Sequence, residues 1–196
     1  MRAKVASHYG DEVPDEVPAC ILSDTDLAGE RGCVLSDCGA YRYRLWREWD
    51  RTRPTLAFLM LNPSTADHLT DDATITRCMS RAITGKFGRL EVVNLFPLRS
   101  TDPDELLTHP DPVGPRSPAD GAVLDVIERA HTAICAWGAH AAAPPRAAEI
   151  MHILGIVGWR SRLMHLGLNK DGSPKHPLYV ARTIRPTPFE FHCHRE

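Results

Sequence analysis

The sequence predicts an α/β fold, a three-layer sandwich around a central four-stranded parallel sheet. Three observations carry that prediction. Four short apolar runs, at 56–61, 90–95, 132–137 and 162–166, have strand length and no alternation, as strands buried on both faces require. Segments with helical spacing and capping residues separate the runs. Polar residues stand directly after three of the four runs, where an open parallel sheet binds its ligands.

The elements follow in order. Residues 1–40 are rich in Asp, Glu, Pro and Gly and read as an irregular arm, with a short strand at 19–22 at most. The segment 41–49, YRYRLWREW, is aromatic and arginine-rich and reads as an edge strand or hairpin. After the run at 56–61, Asp71 or Asp72 caps a helix that reaches about Ile83 and stops at Gly85. The run at 90–95 is the second strand. Ser117 caps the next helix with Pro118 in its first turn, and Val123, Val126, Ile127 and Ala130 share its apolar face. The third strand, at 132–137, leads to a helix at about 145–155. The fourth, at 162–166, leads to a loop that ends at His176-Pro177. The expected organisation is one α/β domain at 41–196 behind the arm.

Composition narrows the function. The chain has 196 residues, of which 43% are hydrophobic and 24% charged, as in a globular protein. No run approaches the ~20 apolar residues of a membrane span, and the first residues lack the apolar core of a signal peptide. The expectation is a monomer in the reducing cytoplasm, with no membrane contact. Six cysteines are present and none forms a Cys-x-x-Cys pair. Cys33 and Cys38, or His192, Cys193 and His194, are the only groupings that suggest zinc, and free thiols with no metal are expected instead. Net charge is −2, so phosphate contacts would depend on local patches. Two occur: Arg42, Arg44, Arg47, Arg51 and Arg53, and then Lys170, Lys175, Arg182 and Arg185. The second is the candidate phosphate-binding group. The first reads equally well as a solvated basic face.

Phosphate-loop, dinucleotide, nucleophile-elbow and His-Glu-x-x-His motifs are all absent. The strand-end loops carry amides, carboxylates, an aromatic and a histidine. An Asn side chain can meet a heterocycle with a donor and an acceptor. Phe96 could stack on such a ring, and His176 could donate to charge that develops on a leaving base. This is equipment for holding a planar base and assisting its departure from a sugar.

Leu61-Asn62-Pro63, Val93-Asn94 and His176-Pro177 stand in the order of three motifs of the uracil-DNA glycosylase superfamily, which the chain resembles. More narrowly, LNPSTAD, NLFPLRSTDP and HPLY resemble the bacterial domain-of-unknown-function family 1643, over roughly residues 41–181. The superfamily resemblance implies a cofactor-free DNA glycosylase-like hydrolase, with DNA or a nucleotide as its substrate and partner. It implies catalytic roles for Asn62, Asp67 and His176; Asp71 and Asp72 could also supply the base, but helix capping is the favoured reading of both. It implies that Pro63, Ser64, Asn94, Phe96, Pro177, Leu178 and Tyr179 bind substrate, with Leu178 and Tyr179 as a wedge into the base stack. No aromatic stands at Ser64 or Thr65 to exclude thymine, so larger bases are expected to enter. Two alternatives remain: an enzyme of the same fold acting on free or hypermodified nucleotides, and a non-catalytic nucleic-acid-binding module.

Overall fold

The computed structural model describes residues 19–191. One mixed sheet of eight strands organises it: β1 (Ala19–Asp26), β2 (Gly29–Ser36), β3 (Arg42–Glu48), β4 (Thr55–Met60), β5 (Arg89–Asn94), β6 (Thr132–Cys135), β7 (Leu163–His165) and β8 (Thr187–Pro188). The spatial order is β1-β2-β3-β5-β4-β6-β7-β8. The expected four-stranded parallel sheet is therefore wrong. β5, β4, β6 and β7 pair in parallel, but β1, β2 and β3 extend that group antiparallel on one side and β8 does so on the other.

Two elements account for the error. Residues 19–36, expected in the irregular arm, form a hairpin whose first strand is exposed at nearly every position. A strand solvated on both faces leaves no hydrophobic alternation to read. The segment expected as an edge is β3, which pairs with β2 and with β5 and buries Tyr43, Leu45 and Trp46. Its arginines masked that burial. Residues 1–18 and the cluster His192, Cys193 and His194 lie outside the described residues.

Four helices complete the described chain: α1 (Ala73–Thr84), α2 (Glu105–Thr108), α3 (Arg116–Arg129) and α4 (Ala143–Ile156). Strand β4 shows how the layers form. Leu56, Phe58 and Met60 pack with Ile75, Cys78 and Ala82 of α1 on one face of the sheet. Ala57 and Leu59 alternate to the other face, against Val123, Val126 and Ile127 of α3 and Ile150 and Leu154 of α4. A continuous apolar run is what a strand covered on both sides needs. Helix α3 begins at Arg116 with Pro115 at its cap position, so Ser117 lies inside the first turn instead of capping it.

Strand β4 has β5 on one side and β6 on the other, both parallel to it. The chain therefore crosses one way after β4 and returns past it after β5. Loops diverge at such a reversal and leave a crevice beyond the carboxyl ends of the strands.

Candidate active site

A cleft of about 390 Å³ lies at that place. All four loops that follow the parallel strands line it. They supply Asn62 and Ser64 after β4, Ser100 and Thr101 after β5, Trp137 to His140 after β6, and His176 and Tyr179 after β7. Asp72 and Thr74 at the start of α1, and Arg42 at the start of β3, complete the wall.

Asn62 is held by its own amide. Its Nδ2 donates to the Pro63 carbonyl at 3.1 Å and to the Ser100 carbonyl at 3.0 Å. Two carbonyl neighbours fix which end of the amide is nitrogen. The Ser100 N–H returns a bond to the Pro63 carbonyl at 3.0 Å. The β4 and β5 loops are thus stitched together, and Asn62 Oδ1 keeps its acceptor capacity among the described residues.

His176 is fixed from below. Its Nδ1 accepts the Leu178 N–H at 3.4 Å across the short turn Pro177–Tyr179. The ring proton of the neutral form therefore sits on Nε2, which makes the imidazole a donor. Burial pushes the His176 pKa down, against the pull of the Asp72 carboxylate, so the ring is neutral at pH 7. Gly138, at φ 79°, lets the β6 loop turn against the His176 loop, and its N–H donates to the Pro174 carbonyl at 2.8 Å. A Cβ at Gly138 would meet His176 Cβ at 3.7 Å, which is ordinary contact, so the positive φ is what favours glycine there.

Asp72 uses Oδ1 to cap α1, accepting the Ile75 N–H at 2.8 Å, yet it also lines the cleft. Asp67, the expected catalytic carboxylate, does not line it. Its Oδ1 accepts the N–H groups of Leu69 and Thr70, each at 2.8 Å, and closes the loop. Burial raises the Asp67 pKa, but those two bonds, with the charges of His68 and Arg99, outweigh it and hold the carboxyl below its usual range. Capping and cleft lining coexist in Asp72 because a carboxylate has two oxygens, a possibility that spacing alone does not reveal.

The other expected residues divide. Ser64 and Tyr179 line the cleft, and Tyr179 is largely exposed at its rim. Pro63 and Pro177 are buried beneath the loops, and Leu178 is half-buried. Asn94 is 5% exposed and stands behind Arg42, whose Nη2 donates to Asn94 Oδ1 at 3.5 Å. Phe96 is buried in the core with Leu98 and Val113 and does not line the cleft. Trp137, packed edge-on to Phe189, joins Tyr179 as an aromatic that does. Lys175 and Arg185 line a second groove of about 440 Å³, and Tyr179 borders both. Lys170 and Arg182 are exposed outside it.

Sequence reasoning missed Arg42, Ser100, Thr101 and His140. Arg42 lay in a cluster that read equally well as a phosphate patch or a solvated face, whereas it is 2% exposed. Burial pushes its pKa down to about 10, opposed by the Asp72 charge, so it stays protonated at neutral pH. His140 Nδ1 accepts the Ala142 N–H at 3.2 Å, and its Nε2 lies 3.2 Å from Asp104 Oδ1.

A family model described as "Protein of unknown function (DUF1643)" matches residues 42–178, from Arg42 at the cleft to the turn after His176. The chain belongs to the DUF1643 family. The matched DUF1643 segment contains all four strand-end loops and leaves out β1, β2 and β8. No curated protein and no solved structure matches the chain. Nothing in these comparisons links this DUF1643 protein to the uracil-DNA glycosylase superfamily.

Among the described residues, no three His, Cys, Asp or Glu side chains gather as a metal site. Cys33, Cys78 and Cys135 are buried, and burial pushes their thiols up, away from the thiolate a metal needs. No helix among the described residues is long and apolar enough to cross a membrane.

Proposed function

We propose that the protein is a DNA glycosylase-like hydrolase that breaks the N-glycosidic bond between a base and its sugar. The observation that carries this reading is the pairing of a free acceptor, Asn62 Oδ1, with a neutral imidazole donor, His176, in one cleft. A cleft of about 390 Å³ is of a size for one small ligand such as a nucleoside.

The chemistry follows from those groups. Asn62 Oδ1 accepts one proton of a water and so aims its lone pair at the sugar. Asp72, the cleft carboxylate, takes the place first assigned to Asp67 and receives the water proton as the oxygen bonds to the anomeric carbon. The carbon–nitrogen bond breaks, its electron pair leaves with the base, and the His176 N–H stabilises the anion until solvent protonates it. Trp137 and Tyr179 supply the aromatic surface first sought in Phe96. The groove beyond Tyr179, with Lys175 and Arg185, favours a polymer whose backbone continues past the cleft.

The test is a screen of duplex and single-stranded oligonucleotides that carry modified pyrimidines and purines, read by mass spectrometry of released bases. Release is expected from at least one modified base. Asn62→Ala should lower kcat more than it raises KM, because positioned water serves the reaction and not binding. His176→Ala should cost ~10² in rate, the low end for one donor to an anion. Tight binding without release of any base would replace this reading with a binding module.

A further inference from the structure

Five arginines crowd the stretch from 42 to 53, and four have a carboxylate. Arg44 pairs with Glu91, Arg47 with Asp71, Arg51 with Glu48 and Arg53 with Asp50. Arg42 has no ion pair among the described residues, although it is 2% exposed. The two other arginines buried nearly as deeply, Arg47 and Arg146, are paired with Asp71 and Asp120. Arg81, at 8% exposed, gives its Nη groups to the carbonyls of Ala181, Arg182 and Ile184, although its Nε has no partner among the described residues. Arg42 holds the Ala66 carbonyl at 2.7 Å and reaches Asn94 Oδ1 only at 3.5 Å. A guanidinium has five N–H donors, so three remain unused. A buried cation without an anion is costly, and folds do not retain one without a use.

Six buried side-chain atoms lack a partner among the described residues: Arg42 Nε, Asn94 Nδ2, Arg99 Nε and Arg81 Nε, which are donors, and Tyr43 Oη and His68 Nδ1. Only an acceptor could satisfy the four donors, and Arg42 and Asn94 are already in contact with each other. Of the buried arginines, Arg42 alone lines the cleft, beside the hydroxyl-bearing Ser64, Ser100 and Thr101. Asp72 is the carboxylate whose charge acts most on Arg42, but it makes no ion pair with it, and one of its oxygens is committed to the α1 cap.

We propose that Arg42, backed by Asn94, is an oxyanion-recognition site, and that the nucleotide unit bound in the cleft carries a negative group that docks on it. The group is either the phosphate of that unit or an acidic substituent on its base. Both offer the same planar or tetrahedral array of charged oxygens to a guanidinium. The assignment of the ligand as a nucleotide rests on the glycosidase reading. The assignment of an anion rests on Arg42.

The experiment measures binding to the full chain by calorimetry at fixed ionic strength. The ligands are a nucleoside, its 5′-monophosphate, and a nucleoside with a carboxylate on its base. One of the two anionic ligands should bind about tenfold or more tightly than the neutral nucleoside, the usual worth of a hydrogen bond to charge. The tighter of the two identifies the source of the anion. Arg42→Met should abolish that preference and Arg42→Lys should retain part of it, with melting curves reporting whether each variant folds. A double variant, Lys175→Ala with Arg185→Ala, leaves Arg42 intact and should keep the preference. If all three ligands bind wild-type protein alike, or if the preference vanishes in the double variant, the inference is overturned and ordered water satisfies the donors instead. Base release with no anion preference would overturn this inference alone. Anion preference with no base release would overturn only the glycosidase reading.

Discussion

His176 acts as a donor because three local facts coincide. The Leu178 N–H occupies Nδ1, burial disfavours the imidazolium, and Gly138 allows the β6 loop to turn against the loop that carries His176. The depressed pKa has a consequence for stability. The unfolded chain protonates this histidine near its ordinary value of 6.5, while the folded chain resists until a lower pH. Between those two values the unfolded state binds more protons, so stability falls as pH falls. Well above pH 6.5 both states are neutral and the contribution vanishes. Urea unfolding from pH 8 down to pH 5 should show wild-type protein losing stability relative to His176→Gln by at most about 1.4 kcal/mol per pH unit. Identical pH dependence in the two proteins would mean that the folded pKa is not depressed. At this scale the place of Asn62 at the cleft was legible because it directly follows an apolar run, and that of His176 because it closes the loop after the last run. The sequence was not legible for Arg42 and Asn94, whose meaning depends on a contact between β3 and β5 across 52 residues. Asp67 misled because its hydrogen bonds lie within its own loop.

Helix α1 joins structure to chemistry at its first residue. Its cap, Asp72, holds the Ile75 N–H and lines the cleft, while its last turn carries Arg81, which holds the carbonyls of Ala181, Arg182 and Ile184 beyond the His176 turn. One end of the helix thus reaches the cleft, and the other holds the segment that follows the His176 turn. Asp72→Ala should destabilise the protein by about 1 kcal/mol through the lost cap. Asp72→Asn keeps a capping oxygen but removes the charge, so it should melt within about 0.5 kcal/mol of wild type. Any loss of base release in Asp72→Asn then belongs to the carboxylate and not to folding. Equal activity in Asp72→Asn and wild type would remove Asp72 from the reaction. The helix itself was legible from its cap and from Gly85, because both are local chemistry. The hairpin of β1 and β2 was not, since its stability comes from pairing with β3 and not from an amphipathic pattern of its own.

Across the molecule, eight strands in one sheet place β4 where the strand order reverses, and the cleft opens there. The parallel pairings of β4 with β5 and β6 set that geometry, and of the antiparallel strands outside them only β3 reaches the cleft, through Arg42 at its start. Parallel neighbours were readable because burial on both faces leaves continuous apolar runs. The outer strands carry charge and solvent-facing residues, which say little about pairing. Overall charge is −2, so attraction to a polyanion must come from where the cations stand. Many arginines are already neutralised by Asp or Glu. Lys175 and Arg185 line the groove next to Tyr179, and neither has an ion pair among the described residues. If a strand leaves the cleft past Tyr179, its phosphates meet these two side chains and release condensed counterions. Binding measured at several salt concentrations should then weaken with a log–log slope of about −0.9 per phosphate contact on a duplex, or about −0.7 on a single strand. Lys175→Ala and Arg185→Ala should each reduce the steepness by about one contact, and their effects should add if the contacts are separate. Lys170→Ala, which removes a charge outside the groove, should change the slope less. A slope unchanged by all three variants would place the backbone elsewhere on the surface and leave the groove without a role in DNA binding.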